Sequence, residues 1–393
     1  MMLTRIAIIF LCGVLLGSIF QKLKLPSLLG MILTGMIVGP YAFHLLDDSL
    51  LNIAADLRQA ALVIILTRAG LALDLSALKK VGRPAVLMCF LPACFEIAGT
   101  VLLAPALLHV SVLEAAIMGS VIAAVSPAVI VPRMIKLIEE GYGSTHSIPQ
   151  LILAGASVDD VFVIVIFTAF TSLAATGQMS AGSFLQIPVS IVLGICLGVA
   201  AGYGLVAFFK TFHMRDSVKI LIMLSISFLM LELQNRLENT VPASGLLAIM
   251  SLGIVIRQKY GALAVRLSSK YNKLWVAAEV VLFVLVGAAV DLTYVVSAGG
   301  AAILAVCAAL VFRMAGVFCC LIKTKLTKKE KLFCMVSYTP KATVQAAIGA
   351  VPLSMGLACG HKVLMVAVLS ILLTAPFGAV CIDRLYKILL KKE

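Results

Sequence analysis

The chain has 393 residues, 62% of them hydrophobic and only 12% charged, with a mean hydropathy of +1.14. That composition lies far outside the soluble globular range, and no polar tract is long enough for a separate soluble domain. The net charge of +13 raises nucleic-acid binding as a function class, but the basic residues sit in alternate loops between apolar runs, which is a topology signal and excludes that reading.

Apolar runs of about 18–25 residues recur from end to end, which predicts an all-α polytopic membrane protein. Thirteen transmembrane spans are expected. The first three lie near 3–20, 27–44 and 51–75. The first lacks a small-residue cleavage site, so it reads as an uncleaved helix and not as a signal peptide. Arg68, toward the inner end of the third, has a short path to the interface and is expected to snorkel toward Asp74. The fourth span, near 84–108, carries Glu96 at depth. The fifth, near 111–132, is interrupted at Ser126-Pro127. A proline at mid-span frees a backbone carbonyl and disfavours helix at the residue before it. Such freed groups survive at membrane depth only where they line a cavity or are satisfied locally.

The sixth span, near 148–176, holds Asp159 and Asp160 side by side. One charged carboxylate at mid-span costs roughly 2.5–3.5 kcal/mol on the insertion scale. Two adjacent ones must face a wet cavity, find cations or carry protons, and each option points to ion transport. They lie about 100° apart on a helix, so they cannot point at the same partner. A division of labour is expected, in which Arg313 or Lys341 holds one aspartate. The other faces the water path, where protonation competes with binding of a small monovalent cation. Oxygen ligands suit such hard cations, and Ser126, Thr339 and the freed carbonyls are the candidates to supply them.

The next four spans lie near 183–209, 217–234, 240–256 and 273–294, and Glu279 in the last either lines a vestibule or is required for transport. The eleventh, near 296–322, carries Arg313 in Val311-Phe-Arg-Met-Ala-Gly316, a place equivalent to Glu96 in Cys94-Phe-Glu-Ile-Ala-Gly99. A Glu96–Arg313 ion pair is expected, as a structural strut. The twelfth, near 331–356, breaks at Thr339-Pro340 and continues with Lys341. Lys341 either offsets the partial negative charge of a half-helix end or releases a proton when a cation arrives. The thirteenth lies near 362–386.

The two broken spans stand seven apart, so they cross the membrane in opposite directions. Paired, interrupted spans in two inverted halves mark the substrate site of a secondary transporter. The basic loops, among them Lys22/Lys24, Arg133/Lys136 and Lys323 through Lys331, place the amino terminus outside and the carboxyl terminus in the cytoplasm. The ten cysteines show no metal spacing and read as small packing residues.

Three segments together carry a resemblance: Ala154-Gly-Ala-Ser-Val-Asp-Asp-Val161, the Ser126-Pro127 break, and Thr339-Pro-Lys-Ala-Thr-Val-Gln-Ala-Ala-Ile-Gly349. They resemble the cation:proton antiporter superfamily in its Asp-Asp branch, and the last is especially similar to NHA-type sodium/proton exchangers. Arg68-Ala-Gly-Leu71, Glu96 and Arg313 fit the same group, and the resemblance covers essentially the whole chain. It implies an antiporter fold of inverted repeats with two broken, crossing helices, and a homodimer. Each protomer would have a core domain, about 84–176 and 296–388, that moves elevator-fashion against a dimerisation domain, about 1–75 and 217–294. A linker helix, about 183–209, would join them.

The resemblance also implies that Asp160 is the ion-binding carboxylate and Asp159 its partner, with Na+ or Li+ and H+ as transported ions and no cofactor. Many Asp-Asp members carry lysine where this chain has Arg313, and arginine does not readily give up a proton. The sequence stops soon after the last span, so the nucleotide-binding module of some potassium-efflux relatives is not expected. Na+(Li+)/H+ antiport in a bacterial inner (plasma) membrane is the leading expectation. The alternatives are K+/H+ antiport, a proton or cation channel, and a sodium-coupled symporter of organic anions. No nucleophile–base constellation or metal motif points to an enzyme.

Overall fold

The computed structural model describes residues 2–73, 82–175, 181–237 and 243–392. Asp74 is outside the described residues, and so is the expected approach of Arg68 to it. Eighteen helices follow one another among the described residues: α1 (Met2–Lys22), α2 (Ser27–Val38), α3 (Asp48–Leu51), α4 (Ala54–Ala72), α5 (Arg83–Met88), α6 (Leu91–Leu108), α7 (Val112–Ile122), α8 (Pro127–Glu140) and α9 (Ile148–Ala175). Then come α10 (Ala181–Thr211), α11 (Asp216–Leu237), α12 (Gly245–Lys259), α13 (Gly261–Ala288), α14 (Leu292–Cys320), α15 (Lys328–Ser337), α16 (Thr343–Gly349), α17 (Val351–Ser354) and α18 (Gly360–Leu389).

Nine helical stretches among the described residues are long and apolar enough to cross a membrane. The other four expected spans meet α2, only 12 residues long; the more polar α11; α12, 15 residues long; and the interrupted run α15 to α17. Length and apolarity alone therefore account for nine spans and not thirteen. For α2, α12 and the α15–α17 run the shortfall has a physical cause, since each is short or interrupted and satisfies its ends by other means than one continuous ladder.

The two broken runs start alike. Ser111 and Glu114 form a capping box at the start of α7, with Glu114 N–H to Ser111 Oγ at 3.2 Å and Ser111 N–H to Glu114 Oε2 at 2.7 Å. Thr327 and Glu330 repeat it at the start of α15, at 3.3 and 2.7 Å. Each box satisfies two of the backbone donors that a helix start leaves free.

The chain divides into two compact units. The first comprises the described parts of Met1–Ala54, Ser76–Val163 and Phe283–Glu393. Within it α6 lies along α14, and the charged residues of both helices are followed three positions later by glycine. A Cβ on Gly99 would overlap the ring of Phe312, and one on Gly316 would sit 2.8 Å from the Cα of Pro92. These glycines let the two backbones approach, as small residues do between membrane helices, and so bring Glu96 and Arg313 within reach. An apolar core that includes Met88, Val125, Ile130, Phe333 and Tyr338 packs around the breaks. The second unit comprises the described parts of Ala55–Leu75 and Ile164–Leu282. In it Gly194 and Gly198 of α10 lie against the backbone of Ser244 and Ala248 at the start of α12.

Candidate functional site

The site forms where the two breaks meet. Helix α7 stops at Ile122, and α8 starts at Pro127, a proline in the first turn where its missing N–H costs nothing. Helix α15 stops at Ser337 and the chain becomes helical again at Thr343. The intervening stretches touch: the Ser126 N–H donates to the Pro340 carbonyl at 2.8 Å. The prolines thus free backbone groups in both halves at one depth, and the halves satisfy each other there.

Arg313 is the hub. It is fully buried, and its Nη2 donates to Asp159 Oδ2 at 2.9 Å while Nη1 donates to Glu96 Oε2 at 2.9 Å. Nε donates to the Tyr338 carbonyl at 2.6 Å, Nη1 also reaches the Ala123 carbonyl, and the guanidinium lies 5.2 Å from the centroid of the Tyr338 ring. A planar fork with donors on every nitrogen suits this many-sided contact. The expected Glu96–Arg313 ion pair is present. Of the two cations open to Asp159, Arg313 holds it. Lys341 instead donates to Glu96 Oε2 at 2.6 Å, and its backbone N–H donates to Thr374 Oγ1 of α18 at 2.8 Å. Asp159 Oδ2 also accepts the Val125 N–H at 2.8 Å.

Glu96, Asp159, Arg313 and Lys341 therefore balance as two carboxylates and two cations, all buried. Asp160, the next residue on α9, is in none of these ion pairs. Its Oδ1 is buried without a hydrogen-bond partner among the described residues, as are Asp159 Oδ1, Ser126 Oγ and Ser337 Oγ. Thr339 Oγ1 donates to the Val336 carbonyl at 2.9 Å and keeps its lone pairs. A buried oxygen without a partner costs about 1–3 kcal/mol. Several of them beside the crossing suit a hard cation or a proton, which such oxygens bind.

Four of the carbonyls at the breaks, which the sequence offers as cation ligands, each already accept a hydrogen bond from a protein donor. Gln345 Nε2 donates to the carbonyls of Ala124 at 2.7 Å and Ile122 at 3.4 Å, and Arg313 takes those of Ala123 and Tyr338. The reason is dielectric: an orphan carbonyl in an apolar interior draws the nearest donor. The network contains neither Arg68 nor Glu279. Both are half-buried in the second unit, each within range of the other's charge.

Sequence reasoning missed Gln345, Ser337, Tyr338 and Thr374. Gln345 is a buried amide in a run otherwise apolar or small, which was the available signal. Tyr338 carried no such signal; in the structure a Cβ on Gly155 would overlap its hydroxyl.

The profile of the sodium/hydrogen exchanger transmembrane family matches residues 6–386. The chain belongs to that family. Sodium/hydrogen exchanger 9B2 of Homo sapiens is 33% identical over 408 residues, covering 98% of this chain and 75% of the relative. Sodium/hydrogen exchanger 9B1 of Homo sapiens is 30% identical over 390 residues, covering 95% of this chain and 75% of the relative. Among solved structures, the sodium proton antiporter MjNhaP1 from Methanocaldococcus jannaschii at pH 8 superposes with a TM-score of 0.84 at 20% identity, over 98% of each chain. This sodium/hydrogen exchanger is thus an integral, multi-pass, all-α membrane protein with the antiporter fold. In the exchanger the Glu96–Arg313–Asp159 chain ties α6, α14 and α9 together at the crossing of the broken helices.

Proposed function

We propose that this exchanger moves Na+ or Li+ against H+, with both ions competing for Asp160. The observation that carries the reading is the balanced network beside it. Because Arg313 and Lys341 are matched by Glu96 and Asp159, the charge of Asp160 has no fixed cation in these ion pairs. Loading it with a proton or a monovalent cation neutralises the site, and a neutral site crosses the bilayer far more cheaply than a charged one. Asp159 Oδ1, Ser126 Oγ and Thr339 Oγ1 complete the candidate oxygen set, and the empty, charged state stays put. That asymmetry couples the two fluxes.

Arg313 does not release a proton, so Asp159 stays paired through the cycle, and Lys341 stays with Glu96. One cation then exchanges for one proton, with no net charge moved. Movement follows an elevator scheme in a homodimer, the core about 84–176 and 296–388 carrying the site past a dimerisation domain of about 1–75 and 217–294. The helix about 183–209 links them. The basic loops support an amino terminus outside and a carboxyl terminus in the cytoplasm of a plasma membrane. In proteoliposomes, an imposed Na+ gradient is expected to drive proton flux in the wild type and none in Asp160→Asn. Wild-type flux in that variant would sink the assignment.

A further inference from the structure

Gln345 is fully buried in the first turn of α16, and its amide is used at both ends. Oε1 accepts the Ala342 N–H at 2.8 Å, which closes the start of α16. Nε2 reaches across the crossing to the Ala124 carbonyl at 2.7 Å and the Ile122 carbonyl at 3.4 Å. The Ala124 carbonyl and the Val125 N–H belong to one planar peptide unit, so holding one orients the other. That N–H is the one that donates to Asp159 Oδ2 at 2.8 Å.

The neighbouring peptide planes are held from the second half as well. Arg313 takes the Ala123 carbonyl, and the Ser126 N–H goes to the Pro340 carbonyl at 2.8 Å. Three successive peptide units of the first break are thus fixed by three groups of the second half. Only one of these holds is a neutral side chain that bonds to nothing ionised. Arg313 also carries ion pairs, whereas Gln345 acts on Asp159 solely through the Ala124–Val125 plane, and linked hydrogen bonds strengthen one another.

We propose that Gln345 is a positioning residue for cation exchange, orienting the Ala124–Val125 peptide so that its N–H fixes Asp159 beside the exchanging Asp160. This rests on the reading of Asp160 as the exchanged-ion ligand. The position requires a donor and an acceptor on one side chain. Glutamate at neutral charge balance is not available there: Gln345→Glu keeps an acceptor for Ala342 but offers the Ala124 carbonyl no donor. Gln345→Met keeps the length and removes both.

The test is Na+-driven proton flux in proteoliposomes for the wild type and both variants, read as KM for Na+ against maximal rate, with thermal midpoints recorded alongside. The proposal expects KM to rise about fivefold in both, the effect of one neutral hydrogen bond, with the maximal rate falling less. A merely structural role lowers the midpoint and the maximal rate and leaves KM unchanged; that result overturns the proposal. A KM rise confined to Gln345→Glu overturns it too, because a new charge alone accounts for it. If neither variant is recovered folded, the residue is a folding requirement and the proposal falls. A wild type without Na+-driven flux overturns the parent reading and this one with it, whereas an active wild type with unchanged KM in the variants overturns this one alone.

Discussion

Arg313 uses all three of its nitrogens on fixed partners, and two of those partners are buried carboxylates. Removing it leaves Glu96 with Lys341 alone and Asp159 with only the Val125 N–H. Breaking a buried ion pair from one side costs about 3–5 kcal/mol, so Arg313→Ala is expected to lose most of its cooperative melting transition. Arg313→Lys keeps the charge but cannot reach Glu96, Asp159 and the Tyr338 carbonyl at once, and its thermal midpoint should lie between the two. A midpoint for Arg313→Ala equal to wild type would remove the strut from the account. At this scale the charged residues were legible, because each is expensive in lipid and Glu96 and Arg313 sit at equivalent places of a repeat. The partner of Lys341 was not legible. Its position one residue past a break places it near several carboxylates, and only the path of the chain selects Glu96. Gln345 stood out less for the opposite reason: a neutral amide carries a small insertion cost, so only its place in an otherwise apolar or small run sets it apart.

At the scale of elements, the two prolines announced the breaks, and their contact through Ser126 and Pro340 follows from opposite crossing directions. Which donors satisfy the carbonyls of the first break was hidden, since Arg313 and Gln345 reach them from the other half of the chain. The capping boxes that open both broken runs are a local pattern that the hydropathy reading passed over. Thr327→Ala is expected to cost about 1 kcal/mol, measured as a lowered melting midpoint, and an unchanged midpoint would show that α15 does not depend on its cap. Glu330 adds a pH dependence. Burial pushes its carboxyl up, but the Thr327 backbone N–H, the His146 ring at 3.0 Å and the Thr327 hydroxyl outweigh that and hold it below its ordinary value of 4.5. Its folded form therefore favours the carboxylate. The stability this gives is present above the ordinary glutamate value and fades as pH falls through the depressed folded value. The difference in melting midpoint between wild type and Glu330→Gln should be full at neutral pH and shrink in acid as pH falls below the ordinary value of 4.5. A difference that grows in acid would reverse the assignment.

For the whole molecule, composition alone fixed a polytopic helical protein, and the inverted breaks pointed to a carrier; family membership and the fold match agree with both. The number of full spans was not legible, because α2, α12 and the α15–α17 run are apolar yet too short or interrupted to cross as single helices. Hydropathy counts apolar residues without knowing where the backbone leaves the helix. What the molecule adds to its parts is charge balance: two cations and two carboxylates close on one another, and Asp160 stands apart from them. With the proposed exchange at Asp160, that balance predicts transport without net charge movement. Wild-type flux driven by a Na+ gradient is expected to be the same at clamped potentials of either sign, and a current without a counter-ion gradient would favour a channel.

The most direct measurement is proton release on cation binding, followed as the pH change of a weakly buffered solution of purified protein when Na+ is added. The account predicts that the wild type releases one proton per bound cation and that Asp160→Asn releases none. Release of the same size from Asp160→Asn would contradict it.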